Sequence, residues 1–372
     1  IISLPVWHVD AKHNKRNSTM TSPLKLSLSA ILAVLLTSAS ATAATVYIAD
    51  GSADQIIVVD TDTGTVERKI TGLDAIHGLS GAPGVRYLVA GSYSEVEGTE
   101  ATALAKPEGV SEDEHAAHHA KPAAGAMPKD AAISILTILD AKSGEILRRI
   151  EVPGAVHHTA VSPDGRYAAA THPSGDGISI IDLETLVFKA FVPTGSAPNY
   201  AVFSEDSASV FVTNSGNGTI SEVDVEKGFV RRNLLVGTAP EHVVISDDGA
   251  TLYVADADIG KIHEIAVSDG AILRSFEIGG ELHGLDLSDD GSTLFVSGKS
   301  EDKLVAIDLQ SGAMRTASLS PAPYHLTTID GTGKIYVSSR DEPKIWIINQ
   351  IDLAVIGEIA VSGEGHQMVV LP

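Results

Sequence analysis

The sequence predicts an all-β fold, a seven-bladed β-propeller with four-stranded blades. Three observations predict it: a fixed internal period, four strand-like segments in each repeat, and seven copies of the first of those segments. Segments beginning at Pro153, Gly195, Gly237, Gly279 and Pro321 recur every 42 residues, and "GTAPEHVVISDDGATLYVADADIGKIHEIAVSDG" shows the unit. A first apolar strand leads through a Ser/Asp/Gly turn to a second such as "LYVAD", then to "KIHEIAV" and, after another Asp/Gly turn, a fourth. Four short strands in about 40–45 residues is the size of a propeller blade. A helical solenoid would need a helical period, and none appears between the turns.

In chain order, first strands fall near His77, His158, Asn199, His242, His283, His325 and His366. The last ends the chain after one strand, whereas "TVYIAD", "IIVVDTDTG" and "TVERKI" near position 45 supply second, third and fourth strands without a first. Joining the two ends makes one blade and leaves no free sheet edge in the ring.

Around this propeller, expected over residues 44–372, the chain divides further. Residues 1–19 show no strand or helix periodicity and are expected to be a non-native or upstream segment. From Met20, Lys25 gives a positive start, "LSLSAILAVLL" an apolar run, and Ala41-Thr42-Ala43 an A-x-A cleavage site, so residues 20–43 read as a signal peptide. The apolar run is about half the roughly 20 residues of a spanning helix, so no membrane insertion is expected after cleavage. The expected location is the periplasm or the exterior.

Charge narrows the partners. The full chain carries −22, and residues 44–372 hold 22 basic against 47 acidic residues, or −25. Such a surface repels nucleic acid and anionic lipid and attracts cations. The sequence has no cysteine, which excludes disulfides, thiolate metal sites, iron–sulfur clusters and covalent c-type haem. It also contains no nucleophile elbow, P-loop, dinucleotide fingerprint or HExxH helix, so hydrolase and nucleotide-binding readings have nothing to rest on.

The segments "VFVTN", "LYVAD", "LFVSG" and "IYVSS" resemble the YVTN-type repeat of bacterial periplasmic seven-bladed propellers, the YncE-like group. The resemblance covers nearly all of residues 44–372 and implies the fold; propellers carry unrelated activities, so it implies little about function.

Function is better sought among the histidines. The first strand of a blade lines the central channel, and six of the seven first strands carry a histidine at the same end: His77, the adjacent pair His157 and His158, His242, His283, His325 and His366. Asn199 and Tyr200 take those places in the remaining blade. Converging imidazoles repel one another if charged and need partners if neutral, and neutral imidazole is a common metal ligand. Inherited, hydrogen-bonded strand residues without a ligand are the alternative. Because strand side chains alternate, one of His157 and His158 is expected to face the channel and the other to turn away, unless the strand bulges or ends there. The seven histidines, with one adjacent pair, resemble the copper-cluster arrangement of the catalytic propeller of nitrous-oxide reductase. That resemblance implies copper at His77, His157, His158, His242, His283, His325 and His366, but the chain lacks that family's cysteine-containing electron-entry domain.

An insertion in the second blade, residues 95–129, is rich in Ala, Glu, Pro and Gly and is expected to be flexible. Within it, "SEDEHAAHHAKP" has a capping-box pattern at Ser111 and Glu114 and a stop at Pro122. On such a short helix His115 and His119 share one face, with His118 paired to Glu114, the spacing by which helices hold zinc. Asp74, Glu241, Glu281 and Glu364 lie near the channel histidines in sequence and could orient them. His172 and His263, on second and third strands, are expected at the surface or between blades, and Trp346 between blades.

The expectation is therefore a periplasmic metal-binding propeller, a metallochaperone or scavenger for zinc or copper, more a carrier than an enzyme. Its metal would be captured by the His loop, held on the axis and passed to a partner such as a metal transporter's solute-binding protein. Propeller-built zinc metallochaperones are similar in design. A copper- or cofactor-dependent redox enzyme and a metal-free interaction scaffold are the alternatives.

Overall fold

The computed structural model describes residues 44–95 and 132–372. The expected upstream segment, the signal peptide and His115, His118 and His119 of the insertion lie outside them. Among the described residues no helix is long and apolar enough to cross a membrane.

The described residues form seven four-stranded antiparallel sheets. Blade 1 takes β1 (Thr45–Asp50), β2 (Gln55–Asp60) and β3 (Thr65–Ile70); blade 2 has β4 (Ile76–Ser80), β5 (Tyr87–Ser92), β6 (Ile133–Asp140) and β7 (Ile146–Pro153). Blade 3 has β8 (Thr159–Val161), β9 (Tyr167–His172), β10 (Gly177–Asp182) and β11 (Val187–Pro193); blade 4 has β12 (Pro198–Phe203), β13 (Ser209–Asn214), β14 (Thr219–Asp224) and β15 (Phe229–Leu235). Blade 5 has β16 (Pro240–Ile245), β17 (Thr251–Asp256), β18 (Lys261–Ala266) and β19 (Ile272–Glu277); blade 6 has β20 (Leu282–Leu287), β21 (Thr293–Gly298), β22 (Lys303–Asp308) and β23 (Met314–Ser318). Blade 7 has β24 (Pro323–Ile329), β25 (Lys334–Ser339), β26 (Lys344–Asn349) and β27 (Val355–Ala360), and the chain ends in β28 (Gly365–Leu371).

β28 pairs with β1 from Thr45↔Leu371 to Asp50↔Gly365, so the two ends share blade 1 and close the ring as expected. First strands of successive blades touch all the way round, from β4 on β8 to β24 on β28 and β28 on β4.

The hydrophobic pattern follows from this stacking. Each blade packs on two neighbours, so second strands such as β17 are buried on both faces, while outer strands such as β19 bury only Phe276 fully. Seven apolar clusters result, one at each blade-to-blade interface. Trp346 lies in the cluster between blades 6 and 7 with Phe295 and Leu304, in the packing role its sequence suggested.

The Ser-x-Asp-Gly turns have a polar cause. In blade 5, Ser246 Oγ donates to Asp248 Oδ1 and accepts from Thr251 N at 3.0 Å, and Gly249 adopts φ +67°. The same Ser-to-Asp bond joins first to second strands at Ser162, Ser204 and Ser288, with Ser207 at φ +60° in the glycine's place after Ser204.

Candidate metal centre

First strands aim their histidines at the axis through a repeated irregularity. Pairing with the second strand breaks register between Ile76 and Gly78, Pro198 and Ala201, Pro240 and Val243, Leu282 and Leu285, and Pro323 and Leu326. A further break lies in β28 beside Ile48–Asp50. Each break holds one axial residue: His77, Tyr200, His242, His283, His325 or His366. A bulge re-aims a side chain that regular pleating would turn elsewhere. Hydroxyls from second strands fill the bulges: Thr213 Oγ1 accepts from Tyr200 N (3.0 Å), Ser297 Oγ from Gly284 N (2.7 Å) and Ser338 Oγ from His325 N (3.1 Å).

Blade 3 solves the problem differently. β8 begins only at Thr159, so His157 and His158 precede the strand and escape its alternation. Their segment is pinned by β9: His157 N donates to Thr171 O (3.0 Å), and His158 N to Thr171 Oγ1 (3.0 Å). His172 is fully buried rather than at the surface. Its Nδ1 meets the carbonyls of Gly154 (3.1 Å) and Ala155 (3.3 Å), and its Nε2 meets Ser179 Oγ at 2.8 Å. Both rings of the adjacent pair therefore join the others, instead of only one.

The seven imidazoles form a closed circuit. Ring centroids are separated by 4.0 Å from His366 to His77, 4.6 Å to His157, 4.2 Å to His158, 5.2 Å to His242, 4.3 Å to His283, 4.7 Å to His325 and 5.8 Å back to His366. His325 also crosses the circuit to His158 at 5.4 Å and to His242 at 5.0 Å. Tyr200 fills the place without a histidine, 4.5 Å from the His158 ring and 4.4 Å from that of His242.

Within the circuit two groups are close enough to share an ion. One ring nitrogen from each of His77, His157 and His158 lies within 4.8 Å of the other two, and the same holds for His158, His242 and His325. The first group is the more exposed, with His77 and His157 only partly buried; the second is buried throughout. Beside the second, His283 Nε2 lies 3.4 Å from His325 Nε2.

Burial keeps these rings neutral. It holds His77 at about 4 and His157 and His242 at about 3, against an ordinary 6.5, and pushes His158, His283 and His325 well below that value. His366 falls to about 2 for the same reason, with the neighbouring His77 adding to the shift. A neutral imidazole has one lone pair free, the form that binds metal. His158 Nε2, His242 Nε2 and His366 Nδ1 are buried without a hydrogen-bond partner. Unpaired polar atoms are costly in an interior, and a metal ion bound at them would satisfy them. The donor set of imidazoles without thiolate fits Zn(II) or Cu(II).

Outer contacts orient the rings. His77 Nδ1 donates to the His157 carbonyl (2.7 Å) and His158 Nδ1 to the Asn199 carbonyl (2.9 Å). Glu241 Oε2 lies 3.5 Å from His283 Nδ1, and burial, aided by Glu281 and Asp258, raises the Glu241 carboxyl to about 7. Glu364 Oε2 is 3.4 Å from His366 Nε2 and pairs with Arg340. Asp74 instead meets Ser92 Oγ, and Glu281 pairs with Lys299; among the described residues neither is paired with a histidine. His263 lies away from the circuit, bonded to Ser275 Oγ at 2.7 Å.

Three neighbours of the circuit belong to no motif in the sequence. Tyr324 stacks on His283, Tyr93 lies 4.9 Å over His77, and Gln367 bonds to Leu79, Thr159 and Tyr200. Tyr324 directly precedes His325 in sequence, and Gln367 directly follows His366; adjacency to an axial histidine was the one available clue.

The insertion leaves and rejoins the propeller at this end. Glu95 Oε1 accepts from Ala155 N (3.2 Å), and Ala132 O from Gly154 N (2.6 Å), on the segment leading to His157 and His158.

Compared with family models and with curated proteins, the chain matches none. Among solved structures it is similar to the hydrazine synthase of Kuenenia stuttgartiensis, with 13% identity, a TM-score of 0.63, and coverage of 83% of this chain and 93% of that one. It is similar to the periplasmic gluconolactonase of Pseudomonas aeruginosa at 14% identity and TM-score 0.66, over 89% of this chain and 99% of that one. A putative 6-phosphogluconolactonase of Bacteroides fragilis NCTC 9343 aligns at 11% identity and TM-score 0.68, over 90% and 99% of the two chains. At these identities the likeness shows the fold, and the chain is a seven-bladed β-propeller whose structural neighbours include periplasmic lactonase-type propellers.

Proposed function

We propose that this protein is a periplasmic carrier of zinc or copper, a metallochaperone or scavenger that holds its ion on the axial histidines. The observation that carries the reading is the pair of three-imidazole groups, whose rings are neutral and include two buried, unpartnered Nε2 atoms. A structural role for the histidines would leave those atoms unsatisfied at a cost of about 1–3 kcal/mol each. Anchoring of the insertion beside His157 and His158 supports capture by His115, His118 and His119, followed by transfer inward. A carrier needs a recipient, and the one proposed is the solute-binding protein of a metal transporter.

The test is elemental analysis of the untagged protein after exposure to zinc or copper and desalting, beside a variant with His77, His158, His242 and His325 changed to Ala, which breaks both three-imidazole groups. Stoichiometric metal that disappears in the variant supports the reading. Metal absent from both proteins overturns it and favours a scaffold, while a coloured, redox-active copper form favours an enzyme.

A further inference from the structure

We propose that the histidine circuit holds a single ion in either of two alternative positions, never two ions together, because both positions depend on His158. This rests on the metal-holding reading above. His158 is the one residue common to both three-imidazole groups. Its Nδ1 lies 2.9 Å from the Asn199 carbonyl oxygen, which can only accept, so Nδ1 carries the proton and the lone pair sits on Nε2. That Nε2 is buried and has no other partner. One lone pair makes one coordinate bond.

Changing tautomer does not raise the count. Were Nδ1 to bind metal, the proton would move to Nε2, and His158 would still serve one ion. Two ions at once would require the doubly deprotonated ring, an imidazolate. The Asn199 carbonyl opposes that, because it would lose the proton it now accepts. Thr171 Oγ1 donates to the same carbonyl at 2.9 Å and fixes it in place.

The two positions differ in access. His77 and His157 are partly exposed, whereas His242 and His325 are 3% exposed each. An ion held by the first pair with His158 is within reach of solvent or a partner. An ion held by the second pair is enclosed, with His283 beside it. Keeping His158 bound while exchanging the other two ligands moves the ion between these positions without releasing it, so capture and storage become two states of one site. A second incoming ion finds no complete ligand set, and the occupied protein refuses it.

The experiment uses the full chain with His115, His118 and His119 changed to Ala, so that only the circuit is counted. Zn(II) is titrated against a chromophoric chelator into this protein, into an outer variant (H77A with H157A), into an inner variant (H242A with H325A), and into H158A. Thermal unfolding of each metal-free protein checks that it folds. The expected result is one equivalent in the parent and one in each double variant, with loss of Zn(II) to chelator at least about tenfold faster in the inner variant than in the outer one. H158A, or H158Q if the alanine variant is unfolded, falls below measurable stoichiometric binding. Two equivalents in the parent overturn the proposal and leave the carrier reading intact, as does loss of all binding in one folded double variant. No binding in the parent overturns both.

Discussion

Nε2 of His283 lies 3.4 Å from Nε2 of His325. Two nitrogens bound at about 2.0–2.1 Å to one tetrahedral ion are separated by about 3.4 Å, so this pair already has the spacing that such an ion imposes. His283 stands outside the group of His158, His242 and His325 as placed, and a shift of its ring on metal binding would let it join them as a fourth ligand. Replacing it with alanine should weaken Zn(II) binding by about tenfold or more without removing it. A Co(II)-loaded sample should lose the intense visible bands of a tetrahedral ion. Unchanged affinity and spectrum in H283A would leave His283 a spectator.

Gln367 ties the circuit's floor together. Its Oε1 accepts from Leu79 N (2.9 Å) and Thr159 N (3.2 Å), and its Nε2 donates to Thr159 O (2.8 Å) and Tyr200 Oη (3.3 Å). One side chain thus joins β28 to the first strands of blades 2, 3 and 4. Leucine at this position has similar bulk but abandons four bonds to buried groups. Q367L should lose at least about 2 kcal/mol in urea unfolding, since each deserted buried group costs on the order of 1–3 kcal/mol. A loss under about 0.5 kcal/mol, as for an ordinary surface change, would contradict this.

Gly284 shows how tightly the first strands pack at the axis. A Cβ there would lie 2.6 Å from the Tyr324 carbonyl oxygen and 2.7 Å from Leu326 N, both backbone atoms that flank His325. Neither can swing aside as a side-chain tip does. G284A should cost about 2–3 kcal/mol and move His325, reducing metal retention as well as stability. Full retention of metal in G284A would show that His325 tolerates the shift.

Much of this architecture was legible in the sequence because it depends on repetition. The 42-residue period, the turns and the missing first strand of blade 1 together specified the ring and its closure. The axial histidines were equally visible, since six of the seven repeats carry one at the same place. Their grouping was not, because it depends on how far each bulge leans toward the axis. The fate of His157 and His158 turned on a single residue of strand length: β8 starts at Thr159, and alternation no longer applies to the pair before it. Gln367 and Tyr324 were hidden for another reason. Their partners lie in other blades, as with Thr159 at 208 positions from Gln367, and no local pattern records such contacts.

His172 offers a test of the segment that positions the adjacent pair. Burial holds its imidazole at about 4 against an ordinary 6.5, outweighing the bonds to Gly154 and Ala155 that act in the opposite direction. Between those values the unfolded chain binds the proton and the folded chain resists it, so stability falls as pH drops from 6.5 toward 4 and is insensitive to this group above 6.5. At pH 5 the accumulated loss is roughly 2 kcal/mol, from about 1.4 kcal/mol for each pH unit below 6.5. Glutamine can still donate to the two carbonyls but does not titrate. H172Q should therefore be less stable than the parent at pH 7.5 by about 1 kcal/mol, the worth of an imperfect hydrogen bond, and should draw level or move ahead by pH 5. The remaining histidines are common to both proteins and their contribution cancels in the difference. Urea unfolding of the two metal-free proteins at both pH values measures it, and parallel stability curves would mean that His172 titrates the same way folded and unfolded.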